Sequence, residues 1–85
     1  MTRTAGEIQD WIVARVAALT GLEAAAVDPD APVARHGLDS VAVVTLVSDL
    51  EAWAGYRFRE NPLDRHPTIR GVAGYLAGRL ADTSS

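Results

Sequence analysis

The stretch "GLDSVAVVTLVSDLEAWAG", Gly37 to Gly55, sets a turn-rich segment against a long apolar-patterned run with a single serine at the junction. At about 100° per residue, Val43, Leu46, Val47, Leu50 and Ala54 fall on one face of an α-helix. Asp39 stands where a helix cap accepts a backbone N–H, and Gly55 stands where a helix stops. The pattern therefore predicts a helix from Ser40 to about Ala54 whose apolar stripe is core. Its opposite side carries Val41, Thr45, Ser48 and Ala52, with Val44 and Asp49 on the borders. That side is largely uncharged, where a solvent face usually holds Lys and Glu.

On the N-terminal side of this helix, residues 21–39 hold two prolines, two glycines and four acids, with Leu22, Val27, Val33 and Leu38 spaced among them. They read as a long loop pinned by those four apolar anchors. Loops of this length are uncommon in compact domains and often functional, the alternative being a plain crossover between helices. Before the loop, Thr4 and Glu7 form a capping-box pattern, and Ile8, Ile12, Val16 and Leu19 recur at helical spacing until Gly21. A first helix over residues 5–20 follows. Arg15 falls inside its stripe and reads as a side chain reaching out along the edge, with Trp11 at the other border.

After Gly55, "YRFRENPLDRHPT" has two prolines and room for one helical turn around Pro62 to Asp64. Thr68 opens a third helix with Ile69, Val72, Ala73, Leu76 and Leu80 on one face. Gly71, Gly74 and Gly78 lie on its outer side, each costing about 1 kcal/mol relative to alanine, so packing must hold this helix. "ADTSS" reads as a frayed tail, leaving an ordered core over about residues 5–81 and a tail at 82–85. The expected fold is all-α, a small three-to-four-helix bundle with a long loop between helices one and two, in a single domain spanning residues 1–85.

Size limits function. An 85-residue chain buries roughly 60% of its unfolded surface, enough for packed helices but not for a cleft with several converging catalytic groups. The content, 48% hydrophobic and 22% charged, is that of a soluble globule. No apolar run approaches the roughly 18 residues that span a bilayer, so no membrane role is expected. "MTRTAGEIQD" lacks the apolar core of a signal peptide, which makes the cytoplasm the default location. The absence of cysteine rules out thiolate metal sites and a cysteine nucleophile. All eight basic residues are arginine, against eleven acids, for a net charge of −3. They are scattered, and only "YRFR" brings two close together, so nucleic acid is not an expected partner.

Ser40 is the one residue whose placement asks for more. As a bare feature it is an ordinary helix-start residue. A hydrolytic nucleophile fits badly, because a nucleophile elbow wants glycine two residues either side, where this chain has Leu38 and Ala42, and no strand precedes it. His36 and His66 are the only imidazoles. Both read as surface or loop residues with no catalytic or metal role, so no triad can be assembled and the chain is not expected to be an enzyme.

"HGLDSVAVVTLVSDLEAWAG" resembles the prosthetic-group attachment segment of acyl carrier proteins, in which Gly-(Leu/Ala/Gly)-Asp-Ser-hydrophobic leads into a helix ending in Leu-Glu. The resemblance spans nearly the whole chain. "TGLEAAAVDPDAPV" looks like the first loop of that family, and "HPTIRGVAGYL" like the start of the last helix in polyketide-type carriers. It implies that a phosphopantetheinyl transferase attaches 4′-phosphopantetheine from coenzyme A at Ser40. Gly37 and Leu38 would shape the loop around that site, and Asp39 would both cap the helix and help the transferase engage the serine.

"GLDS" and "HPT" look more like polyketide or aryl/acyl carriers than peptidyl carriers, which more often have a Gly-Gly-His/Asp-Ser form. Fatty acid carriers usually show several acids after the serine, whereas Ala42 and Thr45 stand at such places here and leave Asp49 and Glu51. Docking is therefore expected to rest on apolar contact around Val41 and Val44, with Thr45, Ser48, Asp49, Arg35 and His36 as further partner residues. Acyltransferase, acyl-adenylating or ketosynthase-type enzymes are the implied partners of a monomeric carrier. The opening Met and the end soon after helix three suggest a freestanding protein, although an excised module would look the same. The nearest alternative is a peptidyl or aryl carrier of a nonribosomal pathway. From another class comes an unmodified helical domain that binds a protein through the apolar face of helix two.

Overall fold

The computed structural model of the chain describes residues 3–83. Three helices, α1 (Ala5–Thr20), α2 (Ser40–Ala54) and α3 (Ile69–Thr83), are joined by two segments, the first with 3₁₀ turns at Ala24–Ala26 and Val33–His36 and the second with one at Pro62–Asp64. There is no strand among the described residues, only an isolated bridge between Pro32 and Thr68. This is the expected all-α bundle, with the expected turn at Pro62.

Local chemistry sets the helix ends. The Thr4 hydroxyl accepts the Glu7 N–H at 3.1 Å and the Glu7 carboxylate accepts the Thr4 N–H at 3.1 Å. That reciprocal cap satisfies two otherwise open donors. First the Thr4 amide and then its hydroxyl hold the Glu7 carboxyl below its ordinary range. At the far ends of α1 and α2, Gly21 and Gly55 adopt left-handed conformations and return their N–H groups to Ala17 and Glu51.

The core is made by Ile8, Ile12 and Val16 of α1, Leu46 and Leu50 of α2, and Ile69, Val72, Ala73 and Leu76 of α3, with Val27 and Val33 from the loop. Val43, Val47 and Ala54 flank the α2 stripe half-buried. Helix α1 packs most extensively against α3. Two side-chain ties join it to α2. Trp11 and Trp53 stack with ring centroids 5.0 Å apart, and the Arg3 guanidinium lies 3.8 Å over the Trp53 ring while donating to the Trp53 carbonyl at 3.2 Å. Further along, Arg15 pairs with Asp49, its Nε donating to Oδ2 at 3.1 Å. The polar interruption of the α1 stripe thus ends on a carboxylate of the neighbouring helix.

Two expectations need correction. Leu22 is 40% exposed and anchors nothing, because the first 3₁₀ turn carries it to the surface; Val27, Val33 and the half-buried Leu38 are the anchors. Helix α3 runs through Thr83, and Ser84 and Ser85 of the expected tail lie outside the described residues. Gly71 does not simply face outward. A Cβ there would meet Thr68 Oγ1 at 3.0 Å and His66 Cβ at 3.4 Å, whereas Gly74 and Gly78 face open space.

The long loop is tied to the start of α3. The Val33 N–H donates to the Pro67 carbonyl at 2.8 Å and the Arg70 N–H donates to the Pro29 carbonyl at 3.0 Å. An exposed Arg70–Asp30 ion pair lies alongside. These bonds fix the segment that delivers the chain to Ser40.

Candidate functional site

The approach to Ser40 is built one residue at a time. The 3₁₀ turn Val33–His36 buries Val33 and closes on Gly37, whose φ of 84° lies in the left-handed region that glycine alone enters freely. That reversal lets Leu38 pack half-buried on the core while Asp39 and Ser40 emerge at the surface. Asp39 is extended, and its carboxylate accepts the Ala42 N–H at 2.7 Å as the cap of α2. The Asp39 carbonyl accepts the Val43 N–H at 3.0 Å.

Ser40 is the first residue of α2 and is exposed. Its hydroxyl makes no hydrogen bond among the described residues, and neither the Ser40 nor the Val41 N–H finds a protein acceptor there. A helix N-terminus with free amides carries a positive partial charge and favours an anion on an adjacent atom. The serine is therefore released from structural duty by Asp39 and sits where a phosphodiester would be held favourably.

Around it, α2 presents Val41 at 72% and Val44 at 63% exposure, together with exposed Thr45 and Ser48. The Thr45 hydroxyl returns to the Val41 carbonyl at 3.0 Å, which leaves the face largely apolar. Arg35 is exposed on the turn that precedes it. Asp49 lies at the edge with its carboxylate engaged by Arg15. His36 turns into the loop instead: its Nε2 accepts the Asp28 N–H at 3.0 Å, and its Nδ1 is buried without a partner. The side chain thereby ties the middle of the long loop to its last turn, just before Gly37. Nothing in the sequence signals that bond, which joins residues eight positions apart through a loop of irregular backbone.

No group of three or more His, Cys, Asp or Glu side chains able to hold a metal occurs among the described residues. No helix there is long and apolar enough to cross a membrane.

Comparison with known proteins shows the family. The family model described as "Phosphopantetheine attachment site" matches residues 10–76. The acyl carrier protein TtuC of Teredinibacter turnerae is 32% identical over 78 residues, covering 92% of this chain and 90% of that protein. A phenolphthiocerol/phthiocerol polyketide synthase subunit of Mycobacterium tuberculosis is 29% identical over 80 residues; the match covers 94% of this chain but only 4% of that much longer one.

Two solved structures share the fold. The HMG-ACPI domain from the CurA module of Lyngbya majuscula superposes with a TM-score of 0.85 at 21% identity, covering 96% of this chain and 83% of that one. A free-standing peptidyl carrier protein from an uncharacterized Acinetobacter baumannii secondary metabolic pathway superposes with a TM-score of 0.84 at 28% identity, covering 91% of this chain and 96% of that one. The chain belongs to the phosphopantetheine-attachment family of carrier proteins. It is a carrier rather than a catalyst, and its prosthetic group is covalent 4′-phosphopantetheine.

Proposed function

We propose that Ser40 is the serine that bears the phosphopantetheine arm, and that the chain carries acyl intermediates of a polyketide-type pathway. The observation that carries the assignment is the exposed Ser40 hydroxyl at the first residue of α2, free of hydrogen bonds because Asp39 does the capping. When attached, the arm supplies a thiol that holds an acyl group as a thioester. The chain itself contributes position. Asp39 fixes the first turn, Gly37 turns the loop clear of the hydroxyl, and the open amides of Ser40 and Val41 face the attachment oxygen's surroundings. No imidazole or carboxylate among the described residues hydrogen-bonds Ser40 Oγ, so the base that deprotonates it belongs to the transferase.

Partner contact falls on Val41, Val44, Thr45 and Ser48, with Arg35 beside them, for acyltransferase, acyl-adenylating or ketosynthase-type enzymes. The acyl reading is supported by TtuC, an acyl carrier protein, and the polyketide reading by the mycobacterial polyketide synthase subunit. A peptidyl cargo is the second reading, favoured by the likeness to the Acinetobacter peptidyl carrier.

The test is chemical. Incubation with coenzyme A, Mg²⁺ and a broad-specificity phosphopantetheinyl transferase should add one phosphopantetheine by mass, and Ser40→Ala should abolish the addition. Ser40→Ala should also cost less than about 1 kcal/mol of stability, because the serine is exposed and the cap is Asp39. Wild-type protein that stays unmodified beside a converted control carrier overturns the assignment.

A further inference from the structure

Away from Ser40, the segment between α2 and α3 folds back on α3 to form a groove of about 410 Å³. Its lining includes Arg57, Arg59, Arg65 and Arg79, with Glu60 as its single carboxylate, on a chain whose net charge is −3. The floor is aromatic. Tyr56 and Phe58 meet edge-to-face at 5.1 Å, Phe58 and Tyr75 lie stacked at 6.4 Å, and Tyr75 and His66 stack at 4.8 Å. These rings hold one another, which makes the floor a rigid surface rather than a set of adaptable side chains.

The arginines are differently disposed. Arg79 donates to the Tyr56 hydroxyl at 3.2 Å, and that bond is the chief reason the phenol is held below its ordinary range. Arg57, Arg59 and Arg65 are exposed and form no ion pair with a carboxylate among the described residues, where the ion pairs are Arg15–Asp49 and Arg70–Asp30. Three unpaired guanidinium groups rimming a stacked aromatic floor combine the two residue types that dominate the energetics of protein interfaces. Guanidinium geometry matches carboxylates and phosphates bidentately, and on a protein surface the matching group is the Asp or Glu carboxylate.

A second groove, lined by Val44, Val47, Ser48, Glu51, Phe58, Glu60 and Asn61, shares Phe58, Glu60 and Asn61 with the first. It joins the arginine groove to the exposed face of α2. We infer that the groove between residues 56 and 66 and α3 is a docking surface for a carboxylate-rich segment of a partner protein, engaged beside the apolar α2 face. The inference rests on the reading of the chain as a carrier that meets partner enzymes. It assigns the charged part of recognition to this groove, leaving the apolar part to Val41 and Val44. Electrostatic attraction of this kind governs encounter rate and orientation more than final affinity, which suits a carrier that must release each partner.

The test uses the full chain, ¹⁵N-labelled, titrated with a synthetic Glu/Asp-rich peptide bearing one Trp. The expected result is shifts in the amides of residues 56–66, Tyr75 and Arg79. These should weaken several-fold when salt is raised from about 50 to about 500 mM. The double variant Arg59→Glu/Arg65→Glu should bind about tenfold more weakly or worse, while Arg70→Glu, outside the groove, should bind as wild type. Absence of shifts in the groove overturns the inference, as does equal binding by the double variant. So do the same shifts produced by inorganic phosphate alone, or tighter binding of a single-stranded oligothymidine. The double variant should still accept phosphopantetheine. If the wild-type chain cannot be modified, the carrier reading fails; if it is modified but the peptide ignores the groove, only the docking surface fails.

Discussion

Gly71 shows how one missing side chain can matter at a helix start. The Thr68 hydroxyl accepts the Gly71 N–H at 3.0 Å, so the same oxygen that caps α3 is the atom an added methyl would strike first. Gly74 and Gly78, on the same helix, have open space where a Cβ would go. In those places glycine costs the helix backbone entropy without an evident structural return. Gly74→Ala and Gly78→Ala should therefore each raise unfolding stability by up to about 1 kcal/mol in urea. Gly71→Ala should fall clearly below both, because the helix-propensity gain is offset by displacement of Thr68 and His66. An equal gain in all three variants would mean that the α3 cap is not crowded. Spacing alone put the three glycines together; only the packed neighbours separate the first from the others.

At the scale of the element, α2 has to bury one face and offer another, and charge substitutions can tell the two apart. Leu50 is 2% exposed, so Leu50→Asp places a carboxylate among apolar neighbours and should unfold the domain or destabilise it by several kcal/mol. Val44 lies only about 40° around the helix from Ser40 and is 63% exposed. Val44→Asp should leave the thermal midpoint nearly unchanged while slowing acylation of the modified protein by a cognate loading enzyme. Melting of Val44→Asp would show the face assignment to be wrong, and normal loading would remove Val44 from the docking surface. This division was legible in the sequence, as were the ends of α1 and α2. Thr4 with Glu7, Asp39, Gly21 and Gly55 act on backbone groups within a few residues of themselves, and apolar periodicity reports burial directly.

At the scale of the whole molecule, what the sequence did not disclose is the set of bonds between distant residues. Arg15 meeting Asp49, His36 accepting from Asp28, and the arginines gathering over the Tyr56–His66 segment depend on how the helices pack. No local period encodes them. The most consequential is the tie between the long loop and α3, since it decides whether Ser40 is held by a fixed approach or a loose one. The Val33 N–H donates to the Pro67 carbonyl beside a buried side chain, and the Arg70 N–H donates to the Pro29 carbonyl. Neither bond can open without parting the loop from α3 and exposing Val33. By contrast, the Ala26 amide bonds to the Glu23 carbonyl within a short 3₁₀ turn of exposed alanines, and that bond can open without uncovering the buried Val27. In native-state hydrogen exchange, Val33 and Arg70 should accordingly exchange with the slow amides of the helices and respond to urea as global unfolding does, while Ala26 should exchange faster and with little urea dependence. If Val33 exchanged as readily as Ala26, the loop would open independently of the bundle. The direction in which Ser40 leaves the surface would then vary from one opening to the next. A slow Val33 means that the bonds at Pro67 and Pro29 hold the start of α2 as firmly as the core does, so that the Ser40 hydroxyl leaves the surface in one orientation.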